Sequence, residues 1–210
     1  MSEPISSGEL YIVAAPSGAG KTSLVRALLK DHPDVGVSVS HTTRQRRPDE
    51  TDGMNYHFVT EAAFQDMISA GEFLEHALVF GHHYGTSLAE VERIRQAGQH
   101  VVLEIDWQGG QQVRASHQCK SIFILPPSMH VLRERLTSRA QDNADTIARR
   151  MAEAVNEISH YHEFDYLVIN DNFDLALAQL TEVIEGRGDE FSMQQQQGRH
   201  QELISSLIKA

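Results

Sequence analysis

Leu10-Tyr11-Ile12-Val13-Ala14-Ala15-Pro16-Ser17-Gly18-Ala19-Gly20-Lys21-Thr22-Ser23-Leu24-Val25-Arg26-Ala27-Leu28-Leu29 reads as a buried strand, a loop of small residues and an amphipathic helix, in that order. The strand is an unbroken apolar run, and the helix repeats its apolar residues with a helical period. Between them, Gly18 and Gly20 let the backbone turn its N–H groups inward around phosphate oxygens. Lys21 can reach the terminal phosphates of a nucleotide, and the Thr22 hydroxyl can ligate Mg2+. The positive end of the helix adds to the attraction. Ala15 stands where the usual pattern has its first glycine, a change of one methyl that leaves the later glycines intact. Ala15, Pro16, Ser17, Gly18, Ala19, Gly20, Lys21 and Thr22 are therefore the candidate phosphate-binding loop. A solvated lysine on a plain Gly-rich turn is the bland alternative, and the order strand, loop, helix argues against it.

Further apolar, β-branched runs recur at 35 to 39, 101 to 105, 121 to 125 and 165 to 169, mostly separated by helical patterns. Alternating strands and helices predict an α/β core with a parallel sheet. Ser87-Leu88-Ala89-Glu90 is a capping box that opens a helix closed by Gly98, and Pro126-Pro127 precedes a helix from about Ser128. Leu177, Leu180 and Ile184 mark the stripe of another helix. Ligands on such sheets bind beyond the carboxyl ends of the strands, where the loop at 15 to 22 and the acids Glu104 and Asp106 fall. Two segments break the alternation. Residues 41 to 86 form a long insertion with strand-like pieces at 56 to 59 and 73 to 80 around a helix at 61 to 70, the size of a small substrate-holding subdomain. Residues 139 to 147 are polar and flanked by arginines, the pattern of a lid. After Gly186 the chain turns polar, passes the glutamines at 194 to 197, and ends in a short amphipathic helix at 203 to 208. That helix has too little apolar surface to stand alone and is expected to dock on this chain or on a second copy.

Composition narrows the functional classes. With 210 residues, 40% of them hydrophobic, the chain can bury a sizeable core. Its 29 acids against 18 bases give a net charge of −11, which argues against a broad nucleic-acid or anionic-membrane surface, so any anion site must be local. The lone Cys119 excludes an internal disulfide and fits a reducing compartment; beside the run 121 to 125 it is expected to be a buried, inert thiol. Neither a membrane span nor a signal peptide is indicated, which makes the cytoplasm the expected location. The 12 histidines include no H-x-x-x-H pair and there is no C-x-x-C, so they are read as solvated or core residues, and Trp107 as packing.

One stretch concentrates positive charge. Residues 38 to 50, Ser38-Val39-Ser40-His41-Thr42-Thr43-Arg44-Gln45-Arg46-Arg47-Pro48-Asp49-Glu50, carry three arginines, with Tyr56 a little further on. The planar fork of a guanidinium matches two phosphate oxygens at once. Pairing with Asp49, Glu50 and Asp52 would make these arginines an ordinary solvated loop. With a phosphate loop upstream, a second phosphate site is the better reading.

These motifs together resemble the guanylate kinase family over residues 9 to 185. In order, the chain has the P-loop, the S-x-S-x-T-T-R-x-x-R-x-x-E stretch at 38 to 50, G-x-x-Y-x-F from Gly53 to Phe58, Glu75 followed by Gly81, Tyr84, Gly85 and Thr86, and D-x-Q-G from Asp106 to Gly109. The resemblance implies a P-loop NTPase-type parallel-sheet core (9–40, 87–130 and 151–185), an inserted GMP-binding subdomain (41–86), a helical lid (131–150) and a C-terminal extension (186–210). It implies transfer of the γ-phosphoryl group of ATP to GMP or dGMP with Mg2+. Ser40, Glu75 and Thr86 would hold guanine, with Asp106 close to the base or to the metal. Arg44, Arg47, Tyr56 and Tyr84 would hold the GMP phosphate, with Glu50 orienting Arg47. In the lid, Arg135, Arg139 and Arg150 would join Lys21 around the transferring group. Periodicity alone would make Glu75 a surface acid; only the motif lifts it above that. The alternative from another class is a non-catalytic guanylate-kinase-like binding module, in which phosphate-loop or arginine positions are usually lost; here they are present. The tail beyond the kinase-like region makes a homo-oligomer plausible.

Overall fold

A computed structural model describes residues 8–79, 81–138 and 144–209. In chain order its elements are β1 (Leu10–Ala14), α1 (Lys21–Asp31), β2 (Val35–Val37), β3 (His41–Thr42), β4 (His57–Phe58), α2 (Glu61–Ser69), β5 (Phe73–Val79), β6 (His82–Ser87), α3 (Leu88–Gln96), β7 (His100–Glu104), α4 (Trp107–Ser116), β8 (Lys120–Leu125), α5 (Met129–Ser138), α6 (Ala144–Ser159), β9 (Tyr166–Ile169), α7 (Phe173–Ile184), α8 (Met193–Arg199) and α9 (Gln201–Ile208). They form two compact units. One holds the chain up to Tyr11 and from Pro33 to Cys119; the other holds Ile12 to His32 and Lys120 onward.

In the first unit the hydrogen-bonded strand order is β2-β7-β1, and β2 runs parallel to β7 with Val35 opposite His100. β2 is shorter than the apolar run 35 to 39; beyond it, the Ser38 N–H still reaches the Val102 carbonyl at 3.3 Å. The inserted segment adds a four-stranded sheet in the order β4-β3-β6-β5, with β5 and β6 an antiparallel pair. Half of the capping box forms: the Ser87 hydroxyl accepts the Glu90 N–H at 3.3 Å, while the Glu90 carboxylate turns to Arg93 at 3.0 Å, and Gly98 follows the helix with φ 80°. α2 is opened in the same way by Thr60, whose hydroxyl accepts the Ala63 N–H, and it buries Phe64. Cys119 is half-buried rather than buried, because it precedes β8 instead of lying within it.

In the second unit the order is β1-β8-β9, with β8 and β9 parallel. Ile12, Val13 and Ala14 are fully buried, as an unbroken apolar strand covered on both faces should be. α1 buries Leu24, Val25 and Leu28, and α7 buries Ala176, Leu180, Val183 and Ile184, so its stripe is rotated slightly from the expected one and Leu177 is half-buried. Leu132 and Leu136 of α5 pack with Met151 and Ala154 of α6. The tail contributes two helices. The glutamine run expected to be a polar segment lies in α8, which buries Met193 and Gln196, and α9 buries Ile204 and Leu207 against this chain's own α6. Of the expected lid, residues 139–143, and with them Arg139, lie outside the described residues. Among the described residues, no helix is long and apolar enough to cross a membrane.

Candidate active site

The phosphate loop belongs to the second unit. β1 ends at Ala14, the Ala19 N–H closes a turn onto the Pro16 carbonyl at 3.0 Å, and α1 starts at Lys21. Gly18 and Gly20 hold φ of 91° and 97°, a region that side chains with a Cβ rarely enter. The loop is braced from behind. Asn170, 4% exposed at the end of β9, donates its Nδ2 to the Ala19 carbonyl at 2.7 Å. Arg135 of α5 donates to the carbonyls of Asn170 at 3.0 Å and Ala19 at 3.4 Å. Its guanidinium is thus seated on the loop's backbone. Arg150 is half-buried on α6. The same helix sends the Glu157 carboxylate to the Ser17 N–H at 3.0 Å. Lys21 and Thr22 occupy the first turn of α1, the end at which backbone N–H groups point outward.

The second set of residues lies in the first unit. Arg44 and Glu50 pair at 2.7 Å with side chains 15% and 10% exposed. The other Glu50 oxygen accepts the Arg47 backbone N–H at 2.8 Å. Glu50 thus holds Arg47 by its main chain and Arg44 by its guanidinium, where the resemblance implied a contact orienting Arg47. The reason is the tight turn 47–50, which brings the carboxylate back over its own N–H groups; the Glu50 N–H itself bonds to the Arg47 carbonyl at 3.1 Å. The Arg44 guanidinium lies 5.5 Å from the ring centre of Tyr56 and 5.7 Å from that of Phe58, and Tyr84 meets Tyr56 edge-on at 5.7 Å. Burial works against charge at Glu50, but the Arg44 hydrogen bond and the Arg47 N–H outweigh it and hold the carboxyl below its usual range. Burial likewise works against charge at Arg44, and its partners Glu50 and Tyr84 raise its basicity in spite of it. Burial first, then Tyr84 and Glu104, push the Tyr56 phenol up to about 12, against the pull of Arg44, so its hydroxyl keeps its proton.

Two residues along β6 from Tyr84, on the same face of the strand, stands Thr86. It is fully buried and donates at 2.5 Å to Oε1 of Glu75, its register partner on β5, which is 4% exposed. The carboxylate that periodicity alone would send to the surface is turned inward at a register shift between Phe73 and Glu75. Asp106 caps α4 by accepting the Gly109 N–H at 2.9 Å. The half-buried Ser40 lies directly before β3, its carbonyl accepting the His57 N–H of β4 at 2.9 Å. The arrangement therefore gathers Arg44, Glu50, Tyr56 and Tyr84 into one cluster and Glu75 with Thr86 into a neighbouring one. Asn170, Glu157 and Gln112, whose clamp on β5 is described below, are contributors that the motifs did not reveal. An asparagine directly after a buried strand was a usable signal for the first; no pattern marked the other two.

A glycine-turned phosphate loop at the head of a helix, beside a parallel sheet, defines a nucleotide-binding protein of the P-loop class. A guanylate kinase family model matches residues 7–187. The guanylate kinase of Alkalilimnicola ehrlichii is 60% identical over 174 residues, covering 82% of this chain and 86% of the relative. That of Escherichia coli K12 is 54% identical over 204 residues, covering 96% and 98%. The crystal structure of guanylate kinase from Anaplasma phagocytophilum superposes with a TM-score of 0.73 at 30% identity, over 93% of this chain and 95% of that one. The chain belongs to the guanylate kinase family.

Proposed function

We propose that the chain catalyses transfer of the γ-phosphoryl group of ATP to GMP, giving ADP and GDP, in the cytoplasm. The observation that carries the choice of acceptor is the buried Glu75 carboxylate, held on one oxygen by Thr86, on the sheet face that also presents Tyr84 to the arginine cluster. Guanine offers two adjacent donors, N1–H and the 2-amino group, to one carboxylate. Adenine has an acceptor at N1 and no 2-amino group, so AMP would leave the buried carboxylate facing a lone pair. Arg44 and Arg47, with the protonated Tyr56 and with Tyr84, supply donors for the acceptor phosphate. None of the residues assigned to GMP above is assigned to its 2′-hydroxyl, so dGMP is an expected substrate.

Phosphoryl transfer needs two phosphate-holding devices, and the chain carries one in each unit. The loop at 15 to 22 binds the donor's phosphates through its N–H groups and Lys21. Lys21 stabilises charge on the equatorial oxygens, Arg150 is assigned to the same task, and Arg135 acts by fixing the loop's backbone. The accepting phosphate is already an anion and needs no general base. Thr22 is exposed on the first turn of α1, and among the described residues no three acidic, His or Cys side chains converge as a metal cage. A lone hydroxyl suits Mg2+, which takes few protein ligands. Thr22 would hold it, and when bound the ion neutralises charge on the transferring phosphates.

A coupled ADP-release assay with ATP and Mg2+, comparing GMP, dGMP, AMP, UMP and CMP at equal concentration, tests this reading. The expected result is preference for GMP and dGMP over AMP by about three orders of magnitude or more. Folded protein without activity toward any acceptor would move the reading to a partner-binding module.

A further inference from the structure

β5 is an outer strand of the four-stranded sheet and, among the described residues, pairs with β6 only. An outer strand leaves the N–H and C=O of alternate residues without a strand partner, so its position is less constrained than that of an inner strand. At His76 a side chain fills the gap. Gln112 Oε1 accepts the His76 N–H at 3.2 Å, and Gln112 Nε2 donates to the His76 carbonyl at 2.8 Å. A carboxamide carries an acceptor and a donor side by side, so one glutamine does for this residue what a neighbouring strand would do.

His76 directly follows Glu75, whose register partner on β6 is Thr86. Gln112 lies one turn beyond Gly109 on α4, and at Gly109 the helix comes close to the carboxylate: a Cβ there would lie 2.4 Å from Glu75 Oε2. One stretch of α4 therefore clamps the backbone beside Glu75 and leaves room for its head group. The Thr86 hydroxyl holds the other carboxylate oxygen.

We infer that Gln112 is a positioning residue for guanine selection, acting through the β5 backbone on Glu75. This rests on the guanine-reading role given to Glu75 above. Two parallel hydrogen bonds to one base edge tolerate little displacement, and a misplacement of about 1 Å costs up to about a hundredfold in such constellations. Gln112 itself is exposed, so water can replace its bonds when it is removed, and the sheet keeps its fold while losing the exact setting of one strand.

The test is steady-state kinetics on the full chain as wild type, Gln112→Ala and Gln112→Glu, varying GMP, AMP and ATP separately. For Gln112→Ala the KM for GMP should rise about tenfold, and the GMP-over-AMP ratio of kcat/KM should fall by a similar factor. The KM for ATP and kcat at saturating GMP should stay within about twofold. Gln112→Glu keeps the acceptor for the His76 N–H and loses the donor to its carbonyl, so it should fall between the two; it decides by the same criteria if the alanine variant does not fold. A folded variant with wild-type GMP KM and discrimination overturns the inference, and so does a fall in kcat with both KM values unchanged, the mark of a purely structural role. A wild-type protein that fails to prefer GMP over AMP overturns the reading of Glu75 and this inference with it.

Discussion

At Gly20 the backbone has φ 97° and ψ 13°, and a Cβ would lie 2.3 Å from the Asn170 Nδ2 that braces the Ala19 carbonyl. Gly20→Ala therefore meets two penalties: a backbone region that disfavours side chains, costing about 1–3 kcal/mol, and displacement of the brace. We expect a lower Tm by calorimetry and an ATP KM raised at least about tenfold, with the GMP KM held. An unchanged ATP KM would mean that this loop does not hold the donor's phosphates. Residues of this kind were legible because their chemistry is written in local spacing, as were Arg44, Tyr56, Glu75 and Thr86 within the motifs that resemble a known family. Asn170, Glu157 and Gln112 were not, because each acts on a backbone group far along the chain: Asn170 at a separation of 151 residues, Glu157 of 140 and Gln112 of 36. Nothing in a local pattern records such a bond.

Elements with one apolar face read well for the same reason that they fold. α3, α7 and the buried strands β1, β8 and β9 declare themselves by periodicity and caps. β6 does not: His82-His83-Tyr84-Gly85-Thr86-Ser87 alternates no apolar residue with a polar one, because its side chains bond to Glu75 and approach the arginine cluster rather than build a core. α8 was hidden by its glutamines, whose burial at Gln196 is a tertiary effect. Helix α6 does more than its buried stripe indicates, since near its C-terminal end Glu157 places a carboxylate on a phosphate-loop amide. That contact ties the helix to the loop at the cost of negative charge where the donor's phosphates would bind. In Glu157→Gln the acceptor remains and the charge goes, so the ATP KM should fall about fivefold, corresponding to roughly 1 kcal/mol of repulsion removed. Glu157→Ala loses the tether as well and should bind ATP more weakly than the glutamine variant. Equal ATP KM values in wild type and both variants would show that the contact is incidental.

For the whole molecule, buried titratable groups in the first unit set the pH range of stability. The His41 ring stacks on His57 at 4.6 Å, and its Nδ1 is buried without a hydrogen-bond partner among the described residues. Burial, then His57, lower its pKa below 6.5, with Asp52 and Glu90 pulling the other way. As the pH falls below 6.5 the unfolded chain takes up a proton that the native state resists, so stability declines. Glu50, held ionised by Arg44 and Arg47 against its burial, adds a further loss below pH 4.5 as its carboxyl is forced to protonate. On the alkaline side the order reverses. Tyr56 keeps its proton up to about 12 in the native state, whereas an unfolded tyrosine gives it up near 10.0, so stability falls as the pH rises between those values. Each group contributes a slope of at most about 1.4 kcal/mol per pH unit. The expected profile is a plateau from about pH 6.5 to 10, set by these reference values. It can be read from the fluorescence of Trp107, the chain's single tryptophan, which lies in the same unit. Tyr56→Phe should flatten the limb between pH 10 and 12, and His41→Gln the limb just below 6.5. An alkaline limb as steep in Tyr56→Phe as in wild type would show that Tyr56 does not set that limit, and would remove the ground for treating the Tyr56 hydroxyl as a donor that survives burial beside Arg44.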